Sequence, residues 1–173
     1  MSGVLVLRLP ALLAHREQAC RTVSAVCKLS QSAVGRFDSQ AADRFTHELV
    51  SAVGETFNNV VLHAYAKSPP GMVELECQWD PERVVVQVRD MGQSFDFNAV
   101  PQPDLELPHE KGMGVFIIRS FVDEVEYRAG PPNVLVLTKR ASCPYRPRWA
   151  SGLLTPTAIG SRCEAGALEA ASR

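Results

Sequence analysis

Between Phe45 and Ala64 the apolar residues Phe45, Leu49, Ala52, Val53, Phe57, Val60, Val61 and Ala64 recur at spacings of three and four. Only an amphipathic helix lays such a set along one face. The stretch Glu48 to Tyr65 therefore organises the chain, because the rest must cover that face. Glu55, Asn59 and His63 follow one another at intervals of four, with Asn58 beside them, so they stack along one edge of the helix. A carboxylate in this seam can take a proton from a hydroxyl or a water. One turn on, an amide oxygen can complete the shell of a Mg²⁺ held by phosphates. The same residues also suit a plain solvated flank, since charge on a helix is usually exposed, and other stretches must decide between the two.

The surrounding pattern is mixed. Residues 3 to 9 read as a short strand ended by Pro10. Leu13, Cys20, Val23, Val26 and Cys27 give a helical stripe within 11 to 29, and 30 to 40 read as a connection before a helix from Ala41 to Tyr65. Ser68-Pro-Pro-Gly71 stops that helix. Strands follow at 72 to 79 and 83 to 89, joined by Asp80-Pro-Glu82 as a hairpin turn. In the second strand Val84, Val86 and Val88 share one face, while Val85, Gln87 and Arg89 take the other, the half-buried alternation of an antiparallel strand. After a long loop come a helix from Val115 to Val122 and strands at 124 to 128 and 134 to 139, linked by Gly130-Pro-Pro-Asn133. The order predicts an α+β fold: one mainly antiparallel sheet with helices on a single face. Residues 1 to 140 form the domain, and 141 to 173 form a weakly ordered tail with at most a short helix near 164 to 171.

Two further motifs lie at element ends. Asp90-Met-Gly92 closes the second strand of the hairpin, where an aspartate commonly makes a turn. A carboxylate there would also accept a hydrogen bond from the exocyclic amino group of adenine and would face the carbonyl oxygen of guanine, so it would select the first base. Gly92 would let the chain pass close to the ring. The loop from Gln93 to Glu110 has three prolines and no usable period, and a loop of that length in a compact domain is usually a lid, a binding loop or a disordered segment. Lys111-Gly-Met-Gly114 ends it. Gly112 and Gly114 suit either a helix cap with close packing or a helix start that offers free N–H groups to phosphate.

Composition narrows the function classes. A formal net charge of −1 over 173 residues, with Lys and Arg scattered, offers no basic field for nucleic acid. No apolar run approaches membrane-spanning length, and the opening 3 to 9 stretch is too short for a signal core, so a cytoplasmic protein is expected. Five cysteines without Cys-x-x-Cys spacing read as reduced thiols, mostly buried, rather than as a metal site.

Taken together, Glu55-x-x-Asn58-Asn59-x-x-x-His63-Ala-Tyr, Asp90-x-Gly92 and Gly112-Met113-Gly114, in this order on this pattern, resemble the three nucleotide-binding boxes of the GHKL ATPase superfamily. The compact size, the His-Ala-Tyr ending and Asp123 to Val125 are similar to the bacterial anti-sigma-factor serine/threonine kinases. The resemblance covers residues 3 to 140. It implies an α/β sandwich of the Bergerat type with an ATP pocket between helices and sheet. Glu55 would be the general base and Asn59 the Mg²⁺ ligand. Asp90 would read adenine beside Gly92, Gly112, Met113 and Gly114 would line the phosphates, and Asn58 and His63 would belong to the nucleotide site. It further implies a protein that sequesters a sigma factor or phosphorylates a small anti-sigma-factor antagonist, with a homodimer through the first strand and helix.

The chain departs from that pattern at three places. Ser94-Phe95 stands where relatives carry a second glycine, so the turn near the base is expected to be less open. Glu110 holds the place of an arginine before the Gly-Met-Gly box, leaving Lys111 as the nearby cation, a looser point charge. Pro132-Asn133 replaces a small residue and a threonine, and one nucleotide contact is expected to weaken. These changes sustain an alternative, a nucleotide-sensing binding module with little or no transfer. A detached histidine-kinase catalytic domain ranks last, since no dimerising His-bearing hairpin precedes the core.

Overall fold

The computed structural model describes residues 2–32, 39–97, 99–100 and 112–141. The tail from 142 onward, its expected short helix, and His109, Glu110 and Lys111 lie outside the described residues. In chain order the elements are β1 (Gly3–Pro10), a 3-10 turn (Leu13–His15), α1 (Arg16–Ser32), α2 (Ser39–Asn59), a π-helical turn (Val60–Ala64), β2 (Met72–Trp79), β3 (Arg83–Asp90), α3 (Met113–Phe121), β4 (Glu124–Arg128) and β5 (Asn133–Arg140). The strands form one antiparallel sheet in the order β1-β2-β3-β5-β4. This is the expected α+β architecture.

Alternation along the strands decides which face the helices cover. Leu75, Cys77, Val84, Val86, Val88 and Leu137 point inward and are buried, and they meet Val23, Val26, Leu49, Val53 and Phe57 from α1 and α2 with Ile118 from α3. Removing this apolar surface from water drives the packing, at roughly 25 cal/mol per Å². The opposite face is polar at its centre: Arg89 Nη1 donates to Glu74 Oε1 and Glu76 Oε2, each at 2.8 Å. Hydrogen bonds from Arg8 and then Arg89 hold the Glu74 carboxyl below its ordinary range. Being solvent-facing, these pairs organise the face more than they stabilise it.

One buried charge pair ties helix to sheet. Lys139 Nζ on β5 reaches Glu48 Oε2 on α2 at 2.6 Å and also donates to the Phe121 carbonyl at 2.8 Å. A cation at the last turn of α3 satisfies an otherwise orphaned carbonyl and complements the helix dipole. It fixes α2 and α3 to one point of the sheet. Among the described residues, no helix is long and apolar enough to cross a membrane.

Cys143 and Cys163 lie outside the described residues, and the other three thiols behave as the composition suggests. Cys27 and Cys77 are free and buried, and Cys20 is half-buried. Burial pushes the Cys27 thiol up to about 12 and the Cys77 thiol to about 11. Both therefore stay protonated in the native protein while the same groups ionise from about pH 9 in the unfolded chain. The folded state holds the extra protons, so this contribution to stability falls as pH rises from about 9 towards 12. In native protein at pH 8.5, a thiol reagent is expected to label Cys20 ahead of Cys27 and Cys77, with all three labelling rapidly in denaturant. Mass spectrometry of labelled peptides reads the order.

Candidate nucleotide site

The helix expected to run unbroken from 41 to 65 changes character after Asn59. From Val60 to Ala64 it widens to a π-helical turn, closed by the Tyr65 N–H donating to the Val60 carbonyl at 3.2 Å. Such turns free backbone groups that a regular helix would consume. Here the Ala64 carbonyl accepts from the Gln93 N–H at 2.8 Å, and the Tyr65 hydroxyl accepts from the Met91 N–H at 3.0 Å. The His63-Ala64-Tyr65 ending of the helix thus clamps the segment that leaves β3.

That clamp explains Gly92. A Cβ there would lie 2.6 Å from the Ala64 carbonyl oxygen and 2.7 Å from its Cβ. Among the described residues the close approach that demands glycine is to the helix end. Because the obstacle includes backbone, the Gly92→Ala change is expected to cost about 1 kcal/mol or more of stability. A denaturant titration that left the midpoint unchanged would show that the segment yields freely.

Asp90 is the last residue of β3 and is buried. Its Oδ1 accepts from the Gly92 N–H at 2.7 Å and from Asn133 Nδ2 at 3.0 Å. Oδ2 takes no hydrogen bond from the described residues. Asp90 lines a narrow cavity together with Thr56, Asn59, Val88, Phe95 and Tyr127. Phe95 packs on Tyr127 with ring centroids 5.2 Å apart, which accounts for the narrowness. The following chain is held too: Arg119 Nη2 donates to the Phe97 carbonyl at 2.7 Å and its guanidinium lies 5.0 Å over the Phe97 ring.

Beside the cavity, Glu55 faces the start of α3. A Cβ on Gly114 would come within 3.0 Å of Glu55 Oε2 and 3.5 Å of Asn59 Oδ1, so glycine lets the two side chains reach the helix start. Gly112 takes the N-cap position with φ +101°, and among the described residues no side chain caps the helix. An uncapped N-terminus leaves N–H groups and a positive dipole end available to an anion. On its other side Glu55 Oε1 receives the Asn58 amide at 3.4 Å and lies 3.8 Å from Arg16 Nη2.

The expected residues therefore divide. Glu55, Asn58, Asn59 and Gly114 meet, with Gly112 and Met113 opening the helix they face. Asn59 and Asp90 share one cavity. His63 is exposed in the π-helical turn and does not line that cavity. Two residues escaped the sequence reading. Arg16 approaches Glu55 only because Gly54 has no side chain, since a Cβ there would sit 2.6 Å from Arg16 Nη2. A glycine within a helix, costly by about 1 kcal/mol, was the available signal. Asn133 is the other, seen as a lost contact and found bonded to Asp90.

Residues 9–139 match the histidine kinase-like ATPase domain family, and the chain belongs to it. Among curated proteins it is similar to the serine-protein kinase RsbW of Staphylococcus epidermidis, 37% identical over 83 residues, which cover 43% of this chain and 52% of that protein. It is also similar to RsbW of Halalkalibacterium halodurans, 35% identical over 99 residues, covering 51% and 58%. With the anti-sigma F factor of Oceanobacillus iheyensis the identity is 30% over 104 residues, covering 55% and 69%. The chain spans about half the length of the first two.

Proposed function

We propose that the protein is an ATP-binding anti-sigma factor and serine/threonine kinase, which phosphorylates a small anti-sigma-factor antagonist and sequesters a sigma factor in the cytoplasm. The observation that carries the reading is the convergence of Glu55 and Asn59 on the uncapped start of α3, next to the cavity that Asp90 lines. The names of the relatives point the same way.

The residues present fit a nucleotide. Among the described residues nothing donates to Asp90 Oδ2, and that oxygen suits an exocyclic amine. The α3 N-terminus suits phosphate. Asn59 offers one amide oxygen to Mg²⁺, and among the described residues no group of three His, Cys, Asp or Glu side chains could hold a metal unaided. The ion would thus depend on phosphate oxygens for most of its shell. Bound Mg-ATP supplies the phosphoryl group to be transferred. Glu55 accepts the proton of the antagonist's hydroxyl, Gly112, Met113 and Gly114 cradle phosphate, with Lys111 adding charge, and Asn58 holds Glu55 Oε1. His63, exposed at the helix end, is assigned to the rim of the site. A homodimer through β1 and α1 completes the reading.

Incubation with γ-labelled ATP, Mg²⁺ and candidate antagonists from neighbouring reading frames tests it. Label on an antagonist serine or threonine, together with co-elution of a sigma factor with the protein, is the expected result. Binding of the sigma factor without any transfer would leave a nucleotide-gated binder.

A further inference from the structure

We infer that Asn133 is a positioning residue that sets the base selectivity of the site, and that Ser94 latches it to the segment leading out of β3. The inference rests on the reading of Asp90 as the base acceptor. Asn133 is 2% exposed and stands opposite Asp90 in the β3/β5 register. Its Nδ2 donates to Asp90 Oδ1 and to the Gly92 carbonyl, both at 3.0 Å. Its Oδ1 accepts from the Gly130 N–H at 3.1 Å and from the Ser94 hydroxyl. An amide has two donors and two acceptor sites, so its capacity is full. The orientation is unambiguous, because the nitrogen faces two acceptors and the oxygen two donors.

The consequence for Asp90 is mechanical. With Oδ1 engaged by Gly92 and Asn133, rotation of the carboxylate would break both bonds in a buried place, where unmade hydrogen bonds are costly. Oδ2 is therefore held towards the cavity as a fixed acceptor. A fixed acceptor welcomes an amino group and repels a carbonyl oxygen. Loosened, the carboxylate could turn or admit water, and discrimination would fall. Ser94 directly precedes Phe95, which lines the cavity, so the same amide joins the Asp90 orientation to the chain packed across the pocket. Two of the places where the chain departs from the pattern it resembles are bonded to each other: the Ser94 hydroxyl donates to Asn133 Oδ1.

Titration of the full chain with fluorescent ATP and GTP analogues reads the selectivity directly. The parent is expected to prefer ATP, and Asn133→Ala to reduce the ATP-over-GTP ratio about tenfold, as for loss of a hydrogen bond to a charged group. Ser94→Ala, at an exposed position, is expected to reduce the ratio less and to add nothing in the Asn133→Ala background, since its partner is then gone. Equal weakening of both nucleotides by Asn133→Ala overturns the inference, as does a Ser94→Ala effect that persists without Asn133. If Asn133→Ala does not fold, an unchanged ratio in Ser94→Ala alone overturns it. A parent that binds ATP without preference over GTP removes the Asp90 reading and the inference with it, whereas a parent with preference and an indifferent Asn133 removes only the inference.

Discussion

Glu55→Gln is expected to bind Mg-ATP nearly as the parent does and to transfer phosphate about a hundred- to ten-thousand-fold more slowly, the usual range for a general base. The substitution preserves size, and the Oε2 position facing Gly114 can still be filled by the amide. What is lost is the ability to accept the proton of the attacking hydroxyl. The neighbouring Arg16, 3.8 Å away and partly exposed, loses an ion partner of little energetic weight, so the fold is expected to persist. Single-turnover transfer from γ-labelled ATP, measured beside nucleotide affinity, separates the two quantities. Sigma-factor binding is expected to survive the change. If parent and mutant transfer equally slowly with the cognate antagonist present, Glu55 is a structural residue and the protein gates binding by nucleotide without being a kinase.

Much of this arrangement was legible because it follows from periods of two and near 3.6. The inward Val84, Val86 and Val88 and the stripe through Leu49, Val53 and Phe57 are pattern alone, and they dictate a helix layer on one sheet face. Glu55 and Asn59 were placed correctly relative to each other for the same reason. His63 lies in a π-helical turn whose Ala64 carbonyl and following Tyr65 hydroxyl accept the Gln93 and Met91 N–H groups of the segment after β3, and no residue in the helix announces them. The Glu48–Lys139 pair was invisible for a similar reason: each residue reads as an ordinary surface charge until the sheet and α2 are packed. The bond from Asn133 to Asp90 spans 43 residues of chain, and no local pattern announces it. Asn133 does accept from Gly130, but its amide nitrogen faces the other way, to Asp90.

Asp90→Asn is expected to lower ATP affinity more than tenfold, with GTP far less affected. Both neighbours of Oδ1, the Gly92 N–H and Asn133 Nδ2, are donors. The substituted amide must therefore keep its oxygen on that side, and its NH₂ falls where Oδ2 stood. A donor then confronts the amino group of adenine, and the charge-assisted bond, worth about 1.5–3 kcal/mol, is gone. The same NH₂ complements the carbonyl of guanine, so the ratio shifts by more than the loss on ATP alone. Because the amide oxygen still satisfies both buried donors, thermal melting without nucleotide is expected to change little. Calorimetric titration with both nucleotides provides the measurement. Unchanged ATP affinity would remove Asp90 from the base site, while a collapse in melting temperature would show that the carboxylate is held for the fold and that its free oxygen serves no base.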